Sequence, residues 1–218
     1  MAQKIGLITI GQSPRSDMTP EMQPLLGPST VFVEAGALDD LSEEEIAKLA
    51  PEKDDTTYIS RLRNGKSVKL SKAKLLPHLQ QKILEVEEQV SSSIVVCTGS
   101  FPTITHSKPL LFPDQILKGT VEAVIGGGTM GLIVPLEEQK SQLLEKWGDT
   151  PIVAAASTPY EEVNIEGAAK ELKEKGATLL VLDCMGYTEE HKRRVKAATN
   201  LPVILSRSIV ARVAAEMV

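Results

Sequence analysis

Cys97 and Cys184 are the only two cysteines in the chain. Each closes an apolar run that breaks into a small-residue turn, SSSIVVCTGSFP for the first and ATLLVLDCMGYTEEH for the second. In an open α/β sheet, ligands bind in the crevice beyond the carboxyl ends of the strands. A thiol at such an end suits proton transfer or nucleophilic attack, because the thiolate is the reactive form and nearby donors favour it. Three readings of the pair stand side by side: a reactive pair, two small hydrophobes of a packed core, and a disulfide.

Two acid–base groups on opposite sides of a carbon make a specific chemistry available. One abstracts an α-proton, the carbanion becomes planar, and the other returns a proton to the opposite face. Backbone N–H groups at the helix starts after Cys97 and Cys184 would stabilise a thiolate and bind a substrate carboxylate. Asp183 beside Cys184 works against a thiolate there. The candidate carboxylate-binding backbone is that of Gly11, Thr98, Gly99, Ser100, Met185 and Gly186. Arg15 and Arg207 are the cationic candidates, since guanidinium matches carboxylate bidentately. Thr9, Gln12, Ser13 and Ser206 could add hydrogen bonds, and Tyr187 either covers the site or packs.

The elements that must position these residues alternate along the chain. Strands are expected at Lys4–Ile10, Thr30–Glu34, Ile94–Cys97, Gly131–Pro135, Ile152–Ala155, Leu179–Asp183 and Val203–Leu205, from their short β-branched runs. Helices are expected to start within Ser16–Met22, where hydroxyl and carboxylate caps are available, and to cover Leu41–Ala50, Ala73–Gln89, Asp114–Ile125, Glu137–Trp147, Val163–Lys175, Thr188–Thr199 and Ile209–Met217. Ser42 and Glu45 form a capping-box pattern, and Asn64-Gly65 reads as the turn of a hairpin over Thr57–Leu62 and Ser67–Leu70. That hairpin carries no obvious catalytic group. Phe101–Pro113 reads as irregular. Alternating strands and helices argue for parallel sheets.

KIGLITIGQSPR and MGLIVPLEEQK echo each other, both strands breaking into polar turns with one cysteine-bearing strand end downstream. The echo predicts two similar α/β lobes, residues 1–113 with 206–218 and residues 114–205, that share a cleft and place one thiol on each side. Thr9–Arg15 and Ser206-Arg207 are expected at the same cleft.

Other signals are weaker. Gly126-Gly127-Gly128-Thr129-Met130-Gly131 satisfies GxGxxG, but the glycines follow a helix and open a strand, the reverse of the dinucleotide fingerprint. A helix terminus and inter-lobe linker is the better reading. His78, His106 and His191 share no metal-ligand spacing with each other or with the cysteines, so neither a metal nor a cofactor is expected. His106 alone is near enough in sequence to Cys97 to be a candidate base.

Composition sets the class. Aromatics make up 3% of the 218 residues, so the core must come from Val, Ile, Leu and Ala, the usual filling of parallel sheets. The net charge is −5 with dispersed Lys and Arg, which disfavours a nucleic-acid partner. No apolar run approaches the roughly 20 residues of a membrane helix. Met1-Ala2-Gln3-Lys4 leads into a strand rather than a signal peptide, which points to a cytoplasmic protein.

The segments LITIGQSPR, LDCMGY and PVILSRSIVARVAAEMV resemble the AroM family, which is itself similar to the Asp/Glu racemase superfamily. The resemblance implies two pseudo-symmetric Rossmann-like lobes with mostly parallel sheets. It also implies an active-site cysteine from each lobe and cofactor-independent chemistry on small carboxylates, as in aspartate, glutamate and hydantoin racemases, maleate isomerase and arylmalonate decarboxylase. Cys97-Thr98 falls where those enzymes carry Cys-Asn-Thr and Cys184 where they carry Gly-Cys-Thr. Gly99, Asp183 and Met185 depart from those patterns. The expectation is a racemase, isomerase or lyase using Cys97 and Cys184, with a second copy of the chain as a candidate partner. The alternative is a catalytically silent metabolite-binding protein on the same fold, linked to aromatic amino-acid biosynthesis.

Overall fold

The computed structural model describes residues 3–140, 147–148, 150–161 and 164–218. The chain forms two units, Met1–Asp114 with Ala211–Val218, and Gln115–Val210.

The first unit runs β1 (Gln3–Thr9), α1 (Thr19–Leu26), β2 (Thr30–Gly36), α2 (Glu43–Lys48), β3 (Thr57–Arg61), β4 (Ser67–Ser71), α3 (Lys72–Glu87), β5 (Ser92–Val96) and β6 (Leu110–Leu111). Its main sheet has the order β2-β1-β5-β6, with every pairing parallel. β1 is central because its run Ile5–Ile8 can be buried on both faces, and Ile5, Leu7 and Ile8 are 0–1% exposed. Each such side chain contributes roughly 1.5–3 kcal/mol by leaving water. α3 packs its Leu75, Leu79, Ile83 and Val86 stripe into the core with Ile8 and Val95. β3 and β4 pair antiparallel around Gly65, whose positive φ of 81° suits the tight turn. Ser42 and Glu45 make the capping box read from the sequence, with both reciprocal bonds present.

Helix α4 (Pro113–Ile125) leads into the second unit, which holds β7 (Thr129–Val134), β8 (Ile152–Ala156), α5 (Ile165–Glu174), β9 (Ala177–Leu182), α6 (Glu189–Thr199) and β10 (Val203–Leu205). The sheet order is β10-β9-β7-β8, again all parallel. One apolar cluster joins Ile133, Leu180 and Leu182 to Ile165, Ala169 and Leu172 of α5 and Val195 of α6. Another joins Leu132, Val134 and Val181 to Leu117 and Val121 of α4 and to Trp147. The closing helix α7 (Ser206–Ala215) follows β10 directly.

Counted in chain order, the strands of each main sheet run 2-1-3-4, so β1 matches β7, β2 matches β8, and β5 matches β9. The fold is α/β with two parallel sheets of equivalent topology.

Several sequence expectations need correction. Leu110–Leu111 is a strand inside the segment read as irregular, because two residues are too few to show a period. α1 starts at Thr19, inside the Ser16–Met22 segment, but its N-cap is Met18 with no side-chain cap bond, after a turn in which the Met18 N–H donates to Arg15 O. α7 starts at Ser206, so Ser206 and Arg207 sit in the first turn of a helix and not in a loop. The Gly126–Gly128 run does end a helix and open a strand, but it lies inside the second unit rather than between units. Of the helix expected over Glu137–Trp147, residues 141–146 lie outside the described residues, as does Val163 at the expected start of α5.

Candidate active-site turns

β5 ends at Val96, and Cys97-Thr98-Gly99-Ser100 turns away from the sheet edge. The Gly99 N–H donates to Cys97 Sγ at 3.3 Å, which stabilises negative charge on the sulfur. Cys97 is half-buried and Thr98 buried. Tyr58, from β3 of the hairpin, closes over this turn. Its hydroxyl donates to Ser100 O at 3.1 Å, and a Cβ added at Gly99 would lie 2.4 Å from Tyr58 Cζ. Phe101 meets the same ring edge-on, with centroids 5.4 Å apart. Burial above all, then the charges of Cys97 and of buried Asp114, push the Tyr58 phenol far above its ordinary value.

β9 ends at Leu182, and Asp183-Cys184-Met185-Gly186-Tyr187 repeats the device. The Gly186 N–H donates to Cys184 Sγ at 3.3 Å, matching the first turn in geometry. Here the tethers come from α7. Ser206 Oγ donates to Cys184 O at 2.8 Å, Arg207 Nε to Met185 O at 2.9 Å and Arg207 Nη2 to Gly186 O at 3.2 Å. Cys184, Met185, Tyr187, Ser206 and Arg207 are all buried, Arg207 at 1% exposure. Tyr187 donates to Ser157 O at 2.5 Å, and burial first, then the charges of Cys184, Asp183 and Tyr160, hold its phenol well above the ordinary value. Tyr160 lies on Gly186 as Tyr58 lies on Gly99; a Cβ there would meet its ring and hydroxyl at 2.9 Å.

The turn after β1 holds the remaining expected residues. Thr9 Oγ1 accepts from Arg15 Nη1 at 2.9 Å and from the Gly11 N–H at 3.2 Å. Arg15, 2% exposed, places Nε and Nη2 on the two carboxylate oxygens of Asp17, both at 2.8 Å. Asp39 gathers the Ser13 N–H and hydroxyl, the Gly36 N–H and Arg63 Nη2. Arg63 also donates to Ser13 O, and its N–H to Gln12 Oε1. Gly11 lies so close to the hairpin that a Cβ would meet Arg61 O at 2.4 Å.

The two arginines named for a carboxylate are therefore spoken for internally: Arg15 grips Asp17, and Arg207 holds the carbonyls of the second thiol turn. Among the histidines, His191 Nδ1 accepts from the Thr188 N–H in the cap of α6, and exposed His106 donates from Nδ1 to Lys108 O at 2.8 Å. Tyr58, Tyr160, Asp39 and Arg63 are site neighbours that sequence reasoning missed. The one local signal that pointed toward the shared geometry is the tripeptide Cys-x-Gly, present at both strand ends. Among the described residues, no group of three or more His, Cys, Asp or Glu is placed to hold a metal ion, and no helix is long and apolar enough to cross a membrane.

Known structures share this fold. Maleate isomerase from Pseudomonas putida S16 superposes with a TM-score of 0.63 at 13% identity, over 96% of this chain and 90% of that one. Glutamate racemase from Bacillus anthracis gives 0.64 at 13% identity, over 99% and 81%. Unliganded arylmalonate decarboxylase gives 0.61 at 11% identity, over 99% and 91%. The architecture is thus that of the Asp/Glu racemases. Curated protein sequences give no match. The family model described as AroM protein matches residues 5–218, and the chain belongs to the AroM family.

Proposed function

We propose that this protein is a cofactor-independent racemase, isomerase or lyase of a small carboxylate, with Cys97 and Cys184 as its acid–base pair. The observation that carries the reading is the repetition of one device: at equivalent strand ends, each thiol receives the N–H of the glycine two residues on, at 3.3 Å in both turns. A core cysteine needs no such donor, whereas a thiol that must hold negative charge does. The structural relatives include a maleate isomerase, a glutamate racemase and an arylmalonate decarboxylase, which supports the reaction class.

In the proposed cycle a thiolate removes the proton α to the substrate carboxylate, leaving a planar carbanion. The other thiol delivers its proton to the opposite face and becomes the thiolate for the reverse direction, so protons and charge balance. For a lyase, loss of carbon dioxide replaces the first proton transfer and one thiol supplies the proton. The backbone N–H groups of the two turns, Thr98-Gly99-Ser100 and Met185-Gly186, are the proposed carboxylate donors, with Gly11, Gln12 and Ser13 as further candidates.

The test is incubation of the reduced protein in deuterated water with amino acids, hydantoins and dicarboxylates, read by NMR. Solvent deuterium at the α-carbon, isomer interconversion or decarboxylation of one panel member is expected. No exchange or turnover across the panel would overturn the reading, and thermal stabilisation by a panel member without turnover would move the protein to a binding role.

A further inference from the structure

The hairpin β3–β4 carried no chemistry in the sequence, yet it brings Tyr58 onto the Cys97 turn from 39 residues upstream. We propose that Tyr58 is a positioning residue for Cys97: its hydroxyl holds Ser100 O and its ring lies against Gly99, which keeps the Gly99 N–H aimed at the thiol sulfur.

Three observations converge on this role. Gly99 is the donor to Cys97 Sγ and also the residue with no room for a Cβ, because Tyr58 Cζ, Oη and Cε1 lie 2.4–2.8 Å from where it would stand. The phenol is buried and spends its proton on the carbonyl one residue beyond that glycine. The hairpin is itself anchored to the β1 turn, since the Gln12 N–H donates to Arg61 O at 3.2 Å and the Arg63 N–H donates to Gln12 Oε1 at 3.0 Å. The ring is thus held in place through its own hairpin. The titratable groups felt at the phenol are Cys97 and Asp114 at the start of α4. A phenol whose proton is held by burial stays a hydrogen-bond donor throughout the range in which a thiol titrates.

Removing the hydroxyl frees Ser100 O, lets the turn relax, and weakens the N–H···S bond that favours the thiolate. The role rests on Cys97 being a reactive thiol, but its test needs no turnover. Tyr58→Phe is compared with the unaltered protein by iodoacetamide alkylation across pH, with each thiol read separately by mass spectrometry. The Cys97 midpoint is expected to rise by about half a pH unit or more, which is about threefold in thiolate fraction below the midpoint. The Cys184 profile should stay where it was, as an internal control. An unmoved Cys97 midpoint would overturn the proposal, and so would equal shifts at both thiols, which would signal general loosening. Gly99→Ala, which pushes the ring away from the turn side, stands in for Tyr58→Phe if that variant does not fold, with the same two readings. Because alkylation reports on the thiol alone, a protein inactive on every substrate would still decide the question.

Discussion

The two thiol turns share a backbone device and differ in what holds it. At Cys97 the turn is half-buried and tied by one phenol, Tyr58, brought in by a hairpin inserted after β2. At Cys184 the turn is buried and tied at three successive carbonyls by Ser206 and Arg207, both in the first turn of α7. Both glycines are covered by a tyrosine from the connection after the second strand of their own sheet, Tyr58 in one case and Tyr160 in the other. A common geometry reached through unlike tethers means that damage to the first turn should alter thiol reactivity. Damage to the second should cost stability before anything else.

The largest effect follows from Arg207. Its guanidinium is buried and donates to two carbonyls, so Arg207→Met leaves both without that donor at a cost of about 3 kcal/mol, given roughly 1–3 kcal/mol per buried group left unmade. The urea midpoint should drop accordingly, and Arg207→Lys should recover only part of it because a point charge cannot span both carbonyls. A drop of less than about 1 kcal/mol would mean that the second turn is held by its own packing.

Asp39 offers the matching test in the first unit. Its carboxylate accepts four hydrogen bonds, from Ser13, Gly36 and Arg63. Asp39→Ala should lower stability by about 2 kcal/mol, read by urea unfolding. The hairpin should loosen with it, which amide hydrogen exchange of residues 57–71 would show as faster exchange, while the second unit keeps its protection.

Tyr187→Phe keeps the ring and removes only the bond to Ser157 O. A neutral buried hydrogen bond of this kind contributes about 1 kcal/mol, so a small fall in Tm is expected with the Cys184 alkylation profile little changed. A large change in that profile would give the second turn the same dependence on a phenol that the first is proposed to have.

The smallest effect is electrostatic. Glu166 pairs bidentately with Arg194 at 2.6 and 2.8 Å, and chiefly that hydrogen bonding holds its carboxyl below the ordinary value of 4.5. A lowered folded-state pKa gives stability that is complete above the unfolded value and lost as pH falls through the folded one. Stability should therefore decline as pH drops below about 4.5, and Glu166→Gln should flatten the decline by a few tenths of a kcal/mol, since the pair is a third exposed and screened. The comparison is of urea midpoints at pH 6 and at pH 3.5.

Much of this molecule was legible in its sequence because the physics involved is local. The run KIGLITI reads as a strand buried on both faces, Ser42 and Glu45 satisfy each other within one turn, and both cysteines sit where apolar runs stop. What escaped was built by long-range contact. Nothing near Tyr58 announces a partner 42 residues away at Ser100. Nothing near Asp39 shows that Ser13 and Arg63 will converge on it. For Arg15 and Arg207 the sequence shows the charge but not the internal carboxylate and carbonyls that the guanidinium groups also hold. The helix start at Ser206 is not legible, because a helix that begins at the residue directly after a strand leaves no turn residues to mark it.

The central claim is that the two thiols act as a pair, and it is tested most directly by single substitutions assayed on whichever carboxylate the unaltered protein turns over. On a racemised or isomerised substrate, Cys97→Ala and Cys184→Ala should each cut kcat by roughly 10²–10⁴-fold, the range for removing a positioned acid or base, while circular dichroism shows both variants folded at the assay temperature and only Cys184→Ala, in the buried turn, lowers the urea midpoint. For a racemisation or isomerisation, full activity in either variant would contradict the account, because a single thiol would then suffice; for a decarboxylation, in which one thiol supplies the proton, full activity in both variants would contradict it.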